Sequence, residues 1–164
     1  MKPIDAFCWW LEHTALSQKI QSVDWIVPAV QTVHILAITV VAASALMINL
    51  RLLGVFSADR PLQEVSARFL PLVWWPLLVL LITGAVMIIG EPARSLKNPA
   101  FQLKMALLVT ALIVTLLYQF MLRRDPAFGS PASGRRVAAT TIATCSVLLW
   151  SGIIFAGRWI AYFS

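Results

Sequence analysis

The sequence predicts an all-α integral membrane protein: a four-helix bundle preceded by a short N-terminal amphipathic helix lying in the membrane interface. Three observations carry this. Hydrophobic residues fill 60% of the 164 positions and charged residues only 12%, against about 45–50% and roughly 25% in a soluble domain. Four apolar runs, residues 26–50, 69–89, 101–122 and 137–160, each reach the ~18–20 residues that take a helix across ~30 Å of hydrocarbon. The runs are too continuous for barrel strands, and only helices or closed barrels satisfy their backbone in lipid.

The elements follow in order. Ile4, Phe7, Cys8 and Leu11 recur at helical spacing beside Trp9 and Trp10, which predicts the interfacial helix over about 3–20. Asp5, Glu12 and His13 interrupt any signal-peptide core there. Ser22 and Asp24 suit the start of the first span, Pro28 fits its first turn and Trp25 marks its boundary. Gly54 ends that span, and residues 55–68, with Pro61, read as a polar connector. The second span opens on Pro71, Trp74, Trp75 and Pro76 and closes at Gly90. Asn98-Pro99 turns the loop of residues 90–100 into the third span, which ends at Arg123-Arg124. Gly129, Ser130, Pro131, Ser133 and Gly134 form the last loop, and Trp159 and Tyr162 anchor the fourth span. No repeat or separate soluble domain is visible, so residues 1–164 form one membrane domain.

The net charge of +6 is placed for a membrane and not for nucleic acid. Arg51, Arg60, Arg68, Arg123, Arg124, Arg135 and Arg136 lie on one side, and Lys2, Lys19, Arg94 and Lys97 on the other. The positive-inside bias puts the first group in the cytoplasm and both termini outside, the periplasm of a bacterial inner membrane. Cys8 and Cys145 have no metal-type spacing and read as structural thiols.

His34, inside the first span, is the residue that most invites function, because an ionisable ring in a membrane segment is costly. At about 100° per residue its face also carries Gln31, Ala37, Val41, Ala45 and Arg51. The third span aligns Lys104, Ala111, Thr115, Tyr118 and Gln119, and the fourth Thr140, Thr144, Ser151 and Arg158. At 1.5 Å per residue, His34 lies ~12 Å below the outer boundary and Lys104 roughly 5 Å. His34, Lys104 and Arg158 are thus expected to converge in the outer half of the bundle, with Met87 and Met105 at similar heights. His34 reads as a structural histidine, a metal or haem ligand, or a proton relay. Lys104 and Arg158 either snorkel or neutralise haem propionates or another anion such as a quinone or lipid head group. Copper wants several soft or imidazole donors, and only one buried histidine is on offer. Gly-x-Ser-x-Gly, phosphate-binding glycine loops, His-Glu-x-x-His and paired buried carboxylates are all absent, and the sequence decides neither for nor against an enzyme.

Trp25-Ile-Val-Pro28, His34, Asn49-Leu-Arg-Leu-Leu-Gly54 and Asn98-Pro-Ala-Phe-Gln-Leu-Lys104 together resemble a family of uncharacterised four-span bacterial inner-membrane proteins, from about residue 20 onward. More distantly, the histidine and lysine resemble those of the membrane haem-binding protoporphyrinogen oxidases and the copper-resistance D proteins. Asn49 stands where the close family leads one to expect an acidic residue, and the oxidases' additional histidine after the lysine helix is absent. The resemblance implies His34 and Lys104 as the important positions. The resulting expectation is a b-type haem protein of membrane electron transfer or a redox-complex subunit, with His34 as axial ligand and Lys104 and Arg158 near the propionates. The alternatives are an accessory membrane subunit without cofactor, and copper or small-solute transport. Partners follow as the lipid bilayer and either further copies of the chain or a larger membrane complex.

Overall fold

The second and third apolar runs form helices that reach past both ends of their hydrophobic stretch, and the first forms one that reaches past its C-terminal end, because capping residues and amphipathic turns extend them. The computed structural model describes residues 3–56, 59–125, 128 and 136–159. In order these form α1 (Pro3–Glu12), α2 (Ala15–Gln21), α3 (Ile26–Leu52), α4 (Leu62–Gly90), α5 (Pro92–Leu96), α6 (Pro99–Arg124) and α7 (Arg136–Trp159). Helices α3, α4, α6 and α7 are long and apolar enough to cross a membrane, so this is a multi-pass membrane protein. Arg135, the loop of residues 129–134, Ile160 and Tyr162 lie outside the described residues.

Three boundaries differ from expectation. The interfacial segment is two helices and not one. Thr14 divides them: its hydroxyl donates to the Leu11 carbonyl at 2.7 Å and accepts from the Ser17 amide at 3.3 Å. One side chain thus closes α1 and caps α2. Second, the connector expected over 55–68 is helical from Leu62. Pro61 sets the N-cap, and Leu62, Val65 and Ser66 are buried, so this turn is amphipathic and invisible to a hydropathy scan. Third, the loop of 90–100 contains α5, begun by Pro92. Elsewhere the caps match their residues. Gly54, at φ +77°, ends α3 with its amide on the Arg51 carbonyl, the left-handed stop that glycine allows. Asn98 caps α6 by accepting from the Ala100 amide at 2.9 Å, with Pro99 in the first turn.

In the bundle α3 lies along α4, α7 lies along α6, and α3 also packs on α7. Lipid tails are as apolar as leucine, so close packing and internal hydrogen bonds must hold such helices together. Small residues accordingly line the α7 seam: Ala139 and Ala143 are fully buried, opposite Val41, Ala45 and Ala111. Deeper toward the arginine-rich end, Asn49 Nδ2 donates to Ser146 Oγ at 2.9 Å and Ser66 bonds the Tyr118 hydroxyl. Asn49 thus has a structural use, since its carboxamide ties α3 to α7. Arg51 instead holds the Arg60 carbonyl, at 2.9 and 2.5 Å.

The helices α1, α2 and α5 gather at the end where α3 and α6 begin. Ser17 Oγ donates to the Ile89 carbonyl at 2.7 Å, and Gln21 Nε2 to the Gly90 carbonyl at 2.8 Å. Two of the carbonyls that α4 leaves open at its C-terminus are thereby satisfied. Gly90 permits this approach, because a Cβ there would stand 3.1 Å from Ile20 Cγ2. Lys97 pairs with Asp5 at 2.7 Å, tying α1 to α5, and that hydrogen bond raises the lysine above its ordinary value. Trp9, Trp10 and Trp25 remain exposed around this end, where aromatic side chains meet a membrane interface.

Candidate functional site

His34 sits in the third turn of α3, half-buried against α4. Below it on the same face Ala37, Val41 and Ala45 are buried, while Gln31 above it is exposed. The inward face read from the sequence therefore holds from His34 downward.

The ring is held by a two-step relay. His34 Nδ1 lies 2.7 Å from Thr83 Oγ1, and Thr83 Oγ1 lies 2.7 Å from the Val79 carbonyl of its own helix. A hydroxyl has one hydrogen and a carbonyl can only accept. Donation by Thr83 to Val79 makes it an acceptor toward the ring. The network thus assigns the proton of a neutral imidazole to Nδ1, leaving the lone pair on Nε2. Gly84 adjoins Thr83, and a Cβ there would lie 3.7 Å from His34 Cε1, so the ring edge rests over bare backbone.

Lys104 enters from α6, half-buried. Its stem runs over Gly157 of α7, whose added Cβ would be 3.7 Å from Cδ, Cε and Nζ alike. The ammonium is within electrostatic range of the His34 ring. Of the three expected residues, Lys104 thus stands within electrostatic reach of His34. Arg158 is exposed and turned about 100° around α7 from the glycine that meets Lys104. Met87 and Met105 are half-buried, and His13 is exposed, with Nδ1 on the Trp9 carbonyl at 2.7 Å.

The whole face expected inside on α7 is displaced. Thr140, Thr144 and Ser151 are exposed with Arg158, and the buried face is Ala139, Ala143, Ser146, Trp150, Ile153 and Ala156. Close approach to α3 and α6 selects alanines over hydroxyls, because small side chains bring backbones together. Cys145 also points outward, whereas Cys8 is buried. On α6 the expected face holds, with Ala111 and Tyr118 buried and Thr115 and Gln119 half-buried.

Thr83 went unread in the sequence, although a signal was there. Between Phe69 and Ile89 it is the one side-chain hydroxyl. Chemically, the site offers one imidazole nitrogen and one ammonium. Among the described residues no three His, Cys, Asp or Glu side chains converge, so a metal at His34 would have to bring most of its ligands with it.

Comparison with known proteins adds one match. A family model described as a family of unknown function (DUF6644) matches residues 8–164. No curated protein and no solved structure matches the chain.

Proposed function

The chain belongs to the DUF6644 family, and from that premise we propose that it is a bacterial inner-membrane protein binding b-type haem through His34. The observation that carries the reading is the Nδ1–Thr83–Val79 relay. Histidines that ligate metals almost always spend their other nitrogen on such a partner, which fixes the tautomer and orients the ring. The lone imidazole then selects the kind of metal. A bare copper ion needs several protein donors, whereas haem iron brings four nitrogens and asks the protein for one or two axial ligands.

In this reading Nε2 of His34 would hold the haem iron and Lys104 would neutralise a propionate. Bound haem supplies a one-electron couple, suited to passing electrons along a membrane complex. The chain's residues do the rest. Thr83 keeps Nε2 unprotonated and aimed, Gly84 leaves the ring edge uncrowded, and Gly157 lets the Lys104 stem lie flat on α7. Both termini and the α1–α2–α5 cap face the periplasm, and the arginine-rich end faces the cytoplasm.

An absorbance spectrum of protein purified in detergent from haem-replete cells tests this. The expected result is a Soret band that His34→Ala abolishes and Lys104→Met shifts or weakens. Absence of the band, or a band indifferent to His34→Ala, overturns the proposal.

A further inference from the structure

The arginine-rich half of the bundle buries more hydrogen-bonding capacity than its pairings use. Asn49, Ser66, Tyr118 and Ser146 are each more than nine-tenths buried. Asn49 Nδ2 donates to Ser146 Oγ, and Ser66 bonds the Tyr118 hydroxyl. A carboxamide brings two hydrogens and an acceptor oxygen, and a hydroxyl brings one hydrogen. Among the described residues, the second amide hydrogen and Oδ1 of Asn49 have no partner, and neither has the Ser146 hydroxyl hydrogen. The Ser66–Tyr118 pair likewise uses one of its two hydrogens. A buried surplus of this kind costs free energy unless something meets it.

The surplus borders a space. A cavity of about 20 Å³ lies between the four spans, lined by Asn49, Thr115, Tyr118 and Ser146 together with Val73 and Ile142. A water molecule needs roughly 10–15 Å³ and several polar partners, so one fits and two do not. The lining groups decide what the occupant is. The amide and the hydroxyls supply donors. Asn49 Oδ1 and Thr115 Oγ1 supply acceptors, the threonine hydrogen being already given to the Ala111 carbonyl at 2.8 Å. A cation would meet hydrogens as well as oxygens, and the Arg51 guanidinium already acts on the Tyr118 hydroxyl from this end. An apolar occupant would leave the surplus unmet. Water both donates and accepts, and so answers both kinds of group.

We infer that this cavity is a binding site for one buried water, which joins the Asn49–Ser146 pair of α3 and α7 to Tyr118 and Thr115 of α6. Two separate ties become one network across three helices, in a lipid core that supplies no hydrogen bonds of its own. Along α3 the cavity starts at Ala45, ~16 Å beyond His34 at about 1.5 Å per residue. It therefore does not rest on the haem reading.

Water-selective NMR of the full chain in lipid nanodiscs, with labelled valine and isoleucine methyls, tests the inference. Cross-relaxation from the water resonance should reach the methyls of Val73 and Ile142 but not those of Ile113, which is exposed on α6. Asn49→Leu combined with Ser146→Ala removes polar partners and should abolish both signals. Ala45→Val keeps every polar group but fills the cavity, and should abolish them too. Far-UV spectra check that each variant is folded. The two act by opposite routes, so if one misfolds the other decides. Absence of the signals in wild type overturns the inference. So do signals that survive the folded variants, which then come from hydroxyl protons alone. A shift of the Asn49 side-chain amide when sodium is exchanged for N-methylglucamine makes the occupant a cation and overturns it as well.

Discussion

A histidine inside a membrane span costs free energy unless its ring nitrogens are occupied, and here a single threonine hydroxyl occupies one of them. That makes Thr83 the residue on which the state of His34 depends. Thr83→Val keeps the shape but removes the acceptor for Nδ1–H, so the expected loss of stability is about 0.6–1.7 kcal/mol, the range for interhelical hydrogen bonds in membrane proteins. Thr83→Ser, which keeps the hydroxyl, should lose less, and equilibrium unfolding in mixed micelles checks the order. A valine variant as stable as wild type would remove the relay from the account. His34 and Lys104 were legible in the sequence because each is an expensive group in an apolar run. Arg158 was misplaced for a geometric reason: a helical wheel gives angles within one helix but not the direction of the bundle centre. On α7 a hydroxyl stripe and an alanine stripe lie about 100° apart, and tertiary packing chose the alanines.

At the scale of elements, the four spans were legible from hydropathy alone, since lipid demands one long apolar helix per crossing. The missed pieces are those in which polar residues form helix. The first turns of α4 bury Leu62, Val65 and Ser66 while exposing Gln63 and Glu64, and α5 is only five residues long. The break at Thr14 depends on one hydroxyl serving two helices, a detail that apolar periodicity cannot register. The docking of α2 on the end of α4 is likewise a matter of particular bonds. Ser17→Ala should cost about 1 kcal/mol by stranding the Ile89 carbonyl and removing a partner of Gln21. Gly90→Val should cost more, because its Cβ would already stand 3.1 Å from Ile20 before any branch is added. Limited proteolysis checks both: cleavage within residues 13–24 should accelerate, more for Gly90→Val, while α3–α7 stay protected. Unchanged cleavage in the Gly90→Val protein would show that α2 does not depend on this approach.

The charge of the whole molecule is asymmetric across the membrane, and the asymmetry is what supports the proposed orientation of the site. Of the described cations near the helix ends, Arg51, Arg60, Arg68, Arg123, Arg124 and Arg136 lie at the end where α3 finishes and α7 starts. Lys19, Arg94, Lys97 and Arg158 lie at the other, and ion pairs to Glu91 and Asp5 hold two of these four. Basic residues in short loops stay on the cytoplasmic side, where the anionic leaflet adds its own attraction. In the proposed orientation the cap of α1, α2 and α5 faces the periplasm, and His34 and Lys104 are reached from there, through the outer half of the bundle. Impermeant maleimide on intact cells reads this directly. Lys19→Cys, exposed on α2, should label before lysis, and Asp59→Cys, exposed between α3 and α4, only after it. The native thiols do not interfere, since Cys8 is buried and Cys145 sits inside the α7 span, out of reach of a reagent confined to water. The reverse pattern would turn the molecule over, place the His34–Lys104 pair nearest the cytoplasm, and require any electron donor or acceptor at the site to approach from inside the cell.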